Sequence, residues 1–381
     1  MVAIDLDGGP AFLQAVRRAW DRGDAVLPLG PSLPRAWRDL LISKLKPTSI
    51  VDDESGPRSL MDGAPTERGD ALVIATSGTT GSPKGVVLTH EALDHAADAS
   101  IDRLGCGAGD TWLACLPLHH IGGLSVVTRA WRSAAALVVH PRFDATAVEL
   151  AADAGATHVS LVSTAMARID PTRFAAILLG GSAIPMERPA NCVATYGMSE
   201  SAGGVVYDGL PLGGVDTRID PDGTIAIRSP TLLRCYRDGT DPKSVGGWYR
   251  TGDLGLIDDA GSLTVHGRAD DVIITGGENV WPEPIEAILR AHPLIADVAV
   301  IGEPDPEWGS RVVAVIVAVD PVAVPTLDDI RDQTRDLFPA PWIPKSVRIV
   351  DRLPRTALGK LRRRDVAPAS RRPSCEPREQ R

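Results

Sequence analysis

Apolar runs of strand length alternate with helical patterns between residues 70 and 181. Helices are predicted to begin after Thr89 and Asp144, because hydroxyl and carboxylate side chains accept hydrogen bonds from the amides of a first helical turn. The runs that we predict as strands are 71–75, 85–88, 135–139, 157–162 and 175–179. Strand–helix–strand alternation with short connections predicts an α/β domain with a mainly parallel sheet.

The rest of the chain follows a different pattern. Over residues 213–267, short runs separated by Asp-Gly and Gly-Gly pairs predict an antiparallel, barrel-like section. Beyond Arg268 we predict a compact α+β unit, with strands over 272–274, 298–301 and 312–319 and helices over 282–291 and 327–338. We therefore expect a large N-terminal domain (1–268), a small mobile C-terminal domain (269–366) and a disordered basic tail (367–381).

Charge and cysteine content narrow the partners and the compartment. The 381 residues carry a formal net charge of −9, which disfavours nucleic acid and anionic membranes as partners. The longest apolar run, residues 312–319, is too short to cross a bilayer, and residues 1–7 lack the basic start of a secretory signal. The five cysteines show no CxxC spacing, which favours reduced thiols and a cytoplasmic location.

Residues 76–85 are the most informative segment. The glycines let the backbone approach an anion closely, the hydroxyls donate hydrogen bonds, and Lys84 supplies positive charge. Pro83 precedes the lysine and Gly85 follows it, so the segment is not a Walker A loop. Taken alone, it is equally typical of a surface turn. The residues predicted to contact phosphate are Thr76, Ser77, Gly78, Thr79, Thr80 and Lys84.

The adjacent His119 and His120 raise the question of a metal site. Neighbouring side chains in an extended segment point to opposite faces, and no third ligand is spaced suitably. We therefore expect no zinc at this pair.

Seven segments carry a resemblance to a known family. The hydroxyl–glycine–Pro-Lys-Gly order of residues 76–85 resembles the phosphate loop of the adenylate-forming superfamily, which includes acyl-CoA synthetases, luciferases and peptide-synthetase adenylation domains. The other matching segments, in the family's chain order, are PLHHIGG (117–123), GGSA (180–183), YGMSE (196–200), YRTGD (249–253), GRADDVI (267–273) and PRTALGK (354–360). Because the matches extend from Thr76 to Lys360, the chain is identified as a member of this superfamily.

The resemblance implies residues that bind ATP with Mg²⁺. Tyr196 would lie beneath the adenine, Asp253 would accept both ribose hydroxyls with help from Arg268, and Glu200 would hold the Mg²⁺. A buried tyrosine, a turn and a helix cap are the ordinary alternatives for Tyr196, Asp253 and Glu200. The nucleotide-binding residues implied are Thr76, Ser77, Gly78, Thr79, Thr80, Gly181, Ser182, Tyr196, Gly197, Ser199, Asp253 and Arg268.

The resemblance also implies catalytic residues. Lys360 would be the catalytic cation, because adenylation joins a carboxylate to an α-phosphate and the two anions repel each other. Lys84 and His120 would assist, and Asp270 would be the hinge about which the small domain turns between the two half-reactions. The path of the CoA thiol would be lined by Gly276 and Gly277.

Residues 194–215 further resemble the short actinobacterial form of the o-succinylbenzoate–CoA ligases of menaquinone biosynthesis, and the early phosphate loop agrees with that form. The substrate would then be an aromatic dicarboxylate, whose second carboxylate needs a partner. Arg129 holds a position that is basic in this subfamily, and the alternative is a surface arginine beside Arg132. The acyl-binding residues implied are His120, Arg129, Gly180 and Gly204.

Other functions stay open at this point. The chain could activate another small carboxylic acid, or it could be a non-catalytic nucleotide-binding relative, which Lys84, Glu200, Asp253 and Lys360 together disfavour. A peptide-synthetase module is disfavoured because no carrier-protein domain follows Lys360. The expected partners are small molecules (ATP, CoA and an aromatic dicarboxylate), with no nucleic acid and no membrane, and a homodimer is left open.

Overall fold

The structure is a computed structural model that describes residues 1–30, 33–52, 56–77, 83–181, 184, 187–355 and 361–366, without the side chain of Ser77. The chain forms two compact units, Met1–Val265 and His266–Arg381. The domain limits and the tail (367–381) predicted above stay predictions. The predicted site residues that lie outside the described ones are Gly78, Thr79, Thr80, Ser182 and Lys360.

The first unit contains strands β1 to β18 and helices α1 to α6. Its strands are β1 (Val2–Ile4), β2 (Val26–Pro28), β3 (Ser49–Val51), β4 (Arg58–Ser59), β5 (Asp70–Ser77), β6 (Pro83–Thr89), β7 (Thr111–Ala114), β8 (Ala136–Val139), β9 (His158–Leu161), β10 (Ala176–Leu179), β11 (Cys192–Met198), β12 (Gly203–Tyr207), β13 (Leu210–Pro211), β14 (Asp216–Ile219), β15 (Thr224–Arg228), β16 (Cys235–Tyr236), β17 (Tyr249–Ile257) and β18 (Leu263–Arg268), which extends into the second unit. Its helices are α1 (Pro10–Asp21), α2 (Arg35–Leu45), α3 (His90–Leu104), α4 (Ile121–Arg132), α5 (Ala145–Asp153) and α6 (Ser163–Met166).

Two mixed sheets dominate this unit. In the described part of the chain each has seven strands, in the orders β16-β6-β5-β2-β1-β3-β4 and β13-β12-β11-β10-β9-β7-β8. The pairs that link β3, β1, β2 and β5 are parallel, and so are those that link β8, β7, β9, β10 and β11. Outer pairs such as β5–β6 and β11–β12 are antiparallel. The α/β class predicted from the sequence is confirmed.

The prediction of one sheet over residues 70–181 is wrong, because β5 and β6 belong to one sheet and β7 to β10 to the other. Helix α3 follows β6 and contacts β5 and β6 on one side and β12 and α4 on the other. The chain therefore changes sheets along this helix. An apolar run in the sequence shows that a strand is buried, but not which sheet it joins.

Two predicted helix starts are confirmed. The Thr89 hydroxyl accepts a hydrogen bond from the amide of Ala92 at 3.1 Å, and the Asp144 carboxylate accepts one from the amide of Ala147 at 2.9 Å. Helices α3 and α5 begin directly after these residues, because each cap satisfies an amide that has no partner within the helix.

Helix α4 has no counterpart in the sequence prediction. It begins with Ile121, Gly122 and Gly123 and continues through Val126 and Val127, all of which have low helix propensity. Most of its residues are buried, and it packs against β7, β8 and β9. Tertiary packing rather than local propensity therefore stabilises this helix.

A third sheet completes the first unit. It has the order β14-β15-β17-β18 in the described residues, and the β14–β15 and β15–β17 pairs are antiparallel. The antiparallel character predicted for residues 213–267 is confirmed. This sheet positions Asp253, which lies in β17.

The second unit is α+β, as predicted. Its elements are β19 (Ile273–Thr275), β20 (Glu278–Val280), α7 (Pro282–Leu289), β21 (Ile295–Asp305), β22 (Gly309–Ala318), α8 (Leu327–Thr334) and β23 (Ser346–Ile349). Strands β21, β22 and β23 form a sheet, and α7 packs on β21 and on α8. Both helices end earlier than the sequence predicted.

Two further features of the described residues bear on the expectations from composition. None of their helices is long and apolar enough to span a membrane. The described cysteines, all buried and without a disulfide bond, are Cys106, Cys115, Cys192 and Cys235.

Candidate active site

Three of the predicted site segments of the first unit lie where parallel strands of the second sheet end. The segment with His120 follows β7, Gly180 and Gly181 follow β10, and Tyr196 lies in β11. Because these strands are parallel neighbours, their carboxyl ends meet at one edge of the sheet. Ligands of open α/β sheets bind at such an edge.

Tyr196 and Asp253, which come from different sheets, are in direct contact. The Tyr196 hydroxyl donates a hydrogen bond to the Asp253 carboxylate at 2.8 Å. The backbone at Asp253 is held by its own amide, which donates to the Thr251 hydroxyl at 3.0 Å, and that hydroxyl donates to the carbonyl of Ile225 at 2.9 Å. The fold thus joins two residues that the sequence placed 57 positions apart.

Glu200 and Lys84 are linked through Tyr236, a residue that the sequence analysis did not select. The Tyr236 hydroxyl donates to the Glu200 carboxylate at 3.1 Å, and the Lys84 ammonium lies 4.9 Å from the centre of the Tyr236 ring. Burial raises the pKa of Tyr236 to about 12, so its hydroxyl keeps its proton and acts as a donor. Tyr236 therefore orients both predicted phosphate-site residues.

Tyr236 lies next to another of the chain's four tyrosines. Tyr236 and Tyr249 have their hydroxyls 3.5 Å apart, and Tyr196 bonds Asp253 four residues beyond Tyr249. The motifs in the sequence did not select Tyr236, because its contacts with Lys84 and Glu200 join parts of the chain that are distant in sequence.

Glu200 fits a magnesium ion that is held mainly by nucleotide phosphates. The carboxylate is partly exposed, and Tyr236 donates to one of its two oxygens. The described residues contain no group of three or more His, Cys, Asp or Glu side chains that could hold a metal by themselves. Mg²⁺ commonly binds one or two carboxylates together with substrate phosphates and water, which suits a single Glu200.

His119 and His120 do not lie in an extended segment, so that part of the sequence reasoning is wrong. They form a turn, in which the amide of His120 donates to the carbonyl of Pro117 at 3.2 Å, and their ring centres are 4.2 Å apart. Burial, with a contribution from His119, lowers the pKa of His120 to about 3. His120 is therefore a neutral imidazole at physiological pH, able to form hydrogen bonds but not to neutralise a carboxylate.

Close strand packing accounts for the glycines predicted at the acyl and nucleotide positions. A Cβ atom on Gly180 would lie 2.3 Å from the Thr195 hydroxyl, and one on Gly197 would lie 1.9 Å from the carbonyl of Gly203. A Cβ atom on Gly204 would lie 2.8 Å from the Tyr207 ring. These glycines let β10, β11 and β12 approach each other closely, and their substrate contacts stay predictions.

Arg129 is an interior residue, so the alternative of a surface arginine is wrong. It is 5% exposed, its guanidinium donates to Ser160 at 2.9 Å and to Ser125 at 3.4 Å, and it lies 4.6 Å from the centre of the Trp112 ring. Its Nε atom has no hydrogen-bond partner in the described part of the chain. Burial lowers the pKa of Arg129, but an arginine keeps its charge in proteins.

This buried charge has no counter-ion among the described residues, since none of their carboxylates lies within ion-pair distance of Arg129. Its neighbour Ser125 lies close to Gly203, which precedes the predicted acyl residue Gly204, because a Cβ atom on Gly203 would lie 3.7 Å from the Ser125 Cβ. A desolvated charge without a partner costs several kcal/mol, roughly the penalty for one buried ion. An anionic ligand beside Ser125 would offset that cost.

In the second unit, Gly276 and Gly277 form the turn between β19 and β20. Both have positive φ values, +57° and +86°, as the two central residues of a type I′ hairpin turn require. A Cβ atom on Gly276 would lie 2.8 Å from the Trp308 ring, whereas no described atom lies within 4 Å of the corresponding position at Gly277. Gly277 therefore borders open space.

We expect Gly277→Leu to slow the second half-reaction, so that acyl-AMP accumulates. The bulky side chain would fill the open space that we assign to the CoA thiol, and the effect is measured as thioester formed from synthetic acyl-AMP. Gly277→Ala is the matched control, because it has the same backbone strain at positive φ without the bulk. The assignment is wrong if both variants behave alike or if only adenylation suffers.

The segment around the predicted hinge residue Asp270 (residues 267–273, called the hinge segment below) lies beside a cluster of charged groups. Arg363 contacts Asp271, Glu283 and Glu286, and Arg364 pairs with Asp270 at 3.0 Å. Three carboxyl groups around one guanidinium repel each other, and Glu283 has an Oε2 atom with no hydrogen-bond partner in the described residues. Burial, opposed by Arg363, raises the pKa of Glu283 to about 7.

This cluster predicts a pH dependence of stability. Glu283 holds a proton in the folded protein up to about pH 7, whereas its ordinary pKa is 4.5. The folded protein therefore binds this proton more tightly than the unfolded chain does. The resulting contribution to the free energy of unfolding is complete below pH 4.5 and is lost as the pH rises through 7. We expect the free energy of unfolding to fall by about 1–3 kcal/mol over this range and Glu283→Gln to remove that fall. Urea unfolding at both pH values checks this, with the exposed Glu278→Gln as the control.

Comparisons with known proteins agree with this geometry. The AMP-binding enzyme family matches residues 25–237, more than half of the chain, and the AMP-binding enzyme C-terminal domain matches residues 284–360. A probable 2-succinylbenzoate–CoA ligase of Mycobacterium tuberculosis is 42% identical in an alignment of length 320 that covers 77% of this chain and 82% of that protein. A 2-succinylbenzoate–CoA ligase of Listeria monocytogenes is 34% identical, over 77% of this chain and 68% of that protein.

Solved structures give the same result. The o-succinylbenzoate CoA synthetase (MenE) of Bacillus subtilis, in complex with the acyl-adenylate intermediate OSB-AMP, is 28% identical with a TM-score of 0.86. The alignment covers 97% of this chain and 88% of that one. The same enzyme with ATP and a magnesium ion aligns with a TM-score of 0.83, over 96% and 88% of the two chains. This chain belongs to the AMP-binding enzyme family, within the adenylate-forming superfamily of acyl-CoA synthetases.

Proposed function

We propose that this protein is an AMP-forming acid–CoA ligase that converts o-succinylbenzoate, ATP and CoA into o-succinylbenzoyl-CoA, AMP and pyrophosphate. Relatives that carry the name of this activity support the reaction, and Arg129 supports the choice of substrate. A buried guanidinium without a carboxylate partner in the described residues suits a substrate with a second carboxylate. The reaction is a step of menaquinone biosynthesis.

The first half-reaction forms the acyl-AMP. A substrate carboxylate oxygen attacks the α-phosphorus of ATP, a new O–P bond forms, and the bond to the leaving pyrophosphate breaks. Lys360 would offset the repulsion between the two anions, and Lys84, held over Tyr236, would contribute charge at the phosphates. Magnesium, bound through Glu200, would neutralise charge on the phosphate oxygens.

Contacts in the first unit support the assignment of the nucleoside site. Tyr196 presents a ring whose hydroxyl is held by Asp253, so the ring cannot rotate freely under an adenine. The Asp253 carboxylate, with its backbone held by Thr251, is oriented to accept hydrogen bonds from a ribose. Rigid placement of this kind reduces the entropy that binding would otherwise cost.

The second half-reaction transfers the acyl group to sulfur. The CoA thiol loses its proton, the sulfur attacks the acyl carbon, and the bond from that carbon to the AMP oxygen breaks. We propose that Asp270 is the hinge between the half-reactions and that Gly276 and Gly277 border the thiol path. The glycine turn supports the latter role, because it leaves open space beside the backbone at Gly277.

Neutral His120 and charged Arg129 would have different roles in the acyl pocket. Because His120 carries no charge at physiological pH, it cannot compensate the second carboxylate and would instead offer a hydrogen bond. Arg129 would supply the compensating charge, with Ser125 between it and Gly203. A ligase for a fatty acid would not need a buried cation at this place.

The experiment that tests the proposal incubates the protein with ATP, CoA and o-succinylbenzoate and detects the thioester by mass. A parallel reaction contains a monocarboxylate analogue that keeps the carboxylate to be activated and lacks only the second one. We expect o-succinylbenzoyl-CoA and a strong preference for the dicarboxylate. Thioester formed equally from both acids would favour a ligase for another small acid, and no ATP–pyrophosphate exchange with either acid would favour a non-catalytic relative.

The cellular setting and the assembly belong to the same proposal. An acidic chain whose described cysteines are all unbridged suits the reducing cytoplasm. A homodimer is the assembly to test first, because two-fold dimers are the commonest soluble oligomers. Sedimentation velocity measured over a range of concentrations distinguishes a dimer from a monomer.

A further inference from the structure

Both ends of the segment that contains Lys360 are anchored in the second unit. Residues 356–360 lie outside the described residues, but Arg355 and Leu361 on either side of them form an isolated antiparallel bridge. The amide of Arg362 also donates to the carbonyl of Pro354 at 2.9 Å. Arg355 and Leu361, the described residues on either side of this gap, are therefore neighbours in space.

The N-terminal anchor is an ion pair with β21. The Arg355 guanidinium contacts the Asp297 carboxylate through two nitrogens, with Nε to Oδ2 at 3.0 Å and a second nitrogen to the same oxygen at 2.7 Å. Both side chains are more than 70% buried. A bidentate pair fixes the orientation of the guanidinium as well as its distance.

The C-terminal anchor is Arg363, three residues after Lys360. Its side chain is 11% exposed and reaches two elements and the hinge segment at once. It donates to Glu286 in α7 and to the carbonyl of Val300 in β21 at 2.7 Å, and its Nε atom lies 3.4 Å from Asp271.

Glu286 is itself held firmly, so it is a rigid support for Arg363. It is 2% exposed, its Oε1 atom accepts a hydrogen bond from the amide of Val300 at 2.7 Å, and its Oε2 atom accepts one from Arg290 at 3.1 Å. Arg363 thus joins a fixed carboxylate in α7 to Asp271, which follows the proposed hinge residue Asp270.

We propose that Arg363 is a positioning residue for adenylation, which places the Lys360 segment relative to α7, β21 and the hinge segment. This inference rests on the proposed function, in which Lys360 is the catalytic cation. A catalytic charge works only at the right distance, and a misplacement of about 1 Å can cost roughly 100-fold in rate. Lys360 is needed for acyl-AMP formation but not for thioester formation, so the loss of Arg363 should affect mainly the first half-reaction.

The test compares Arg363→Gln with a matched control, Arg348→Gln. Arg348 is also largely buried in the second unit, with 18% exposure, and it pairs with Glu303 at 3.1 Å, but it has no described contact with the Lys360 flanks. Each protein is assayed separately for ATP–pyrophosphate exchange and for thioester formation from synthetic acyl-AMP. We expect Arg363→Gln to lose about 100-fold in exchange and to keep thioester formation within a factor of about three of its control.

Arg363→Lys provides a second variant in case Arg363→Gln does not fold. It keeps one positive charge but cannot reach Glu286, Val300 and Asp271 together, so we expect a selective loss of exchange here as well. Equal losses in both half-reactions by the folded variants, or no loss in either, would overturn the inference. If the unchanged protein itself showed neither half-reaction, the proposed function would fail instead, which is a distinguishable result.

Discussion

Lys360→Ala should abolish acyl-AMP formation while leaving thioester formation from synthetic acyl-AMP largely intact. In the proposed mechanism the lysine offsets repulsion between the substrate carboxylate and the α-phosphate, and that repulsion exists only in the first half-reaction. The loss of one positioned electrostatic partner typically costs about 10²–10³-fold in rate. ATP–pyrophosphate exchange measures the first half-reaction, and thioester release from synthetic acyl-AMP measures the second.

Lys345→Ala is the control for this experiment. Lys345 is an exposed lysine of the same unit, so its loss removes the same charge without touching the proposed catalytic position. The Lys345→Ala variant should carry out both half-reactions at rates close to those of the unchanged protein. Equal damage to the two half-reactions of Lys360→Ala would show that Lys360 has another role.

The second large effect concerns Arg129→Ala and the choice of substrate. If the guanidinium compensates the distal carboxylate of o-succinylbenzoate, its removal leaves that carboxylate desolvated and unpaired. Truncating one member of a buried charge pair costs about 2–5 kcal/mol, so kcat/KM for o-succinylbenzoate should fall by roughly 30-fold or more. The KM for ATP should change little, because the groups that contact Arg129, namely Ser125, Ser160 and Trp112, do not belong to the predicted nucleotide site.

A monocarboxylate analogue separates recognition from packing in this variant. Arg129 also fills space between Trp112 and Ser160, so its loss lowers stability and depresses activity toward every substrate. The fall in kcat/KM for the analogue measures this general loss. Any further fall in kcat/KM for o-succinylbenzoate measures the charge pair, so the two substrates and the two proteins form a double-difference cycle. Arg132→Ala, which removes an exposed arginine of the same helix, should leave both substrates unaffected. Equal losses for both acids in Arg129→Ala would make Arg129 a structural residue.

Several site assignments depend only on motifs in the sequence, and the fold brings their members together. Tyr196 and Asp253 were chosen separately, yet their side chains are hydrogen-bonded. Thr89 and Asp144 cap the helices that they were expected to start. The two cap predictions are confirmed because a cap depends on interactions within a few residues, which the order of residues alone expresses.

Other features depend on contacts between distant parts of the chain. Tyr236 joins Lys84 to Glu200 because β16 pairs with β6 at the edge of the first sheet. Arg129 looks like a surface residue next to Arg132, but α4 turns it toward Ser160 in β9. The resemblance implies a catalytic and acyl-binding role for His120 but not its charge, which burial keeps neutral. None of these properties can be read from local spacing.

The sequence by itself therefore determined the α/β class and the family, and it predicted the residues of the nucleotide site, because periodicity and motif order are local properties. Only the tertiary structure decided that the first unit has two sheets, that Tyr236 belongs to the site, and that Arg129 is a buried charge. It also decided that Arg363 joins α7, β21 and the hinge segment. Burial and pairing depend on which surfaces meet, and the energies of charged groups follow from that burial rather than from their position in the chain.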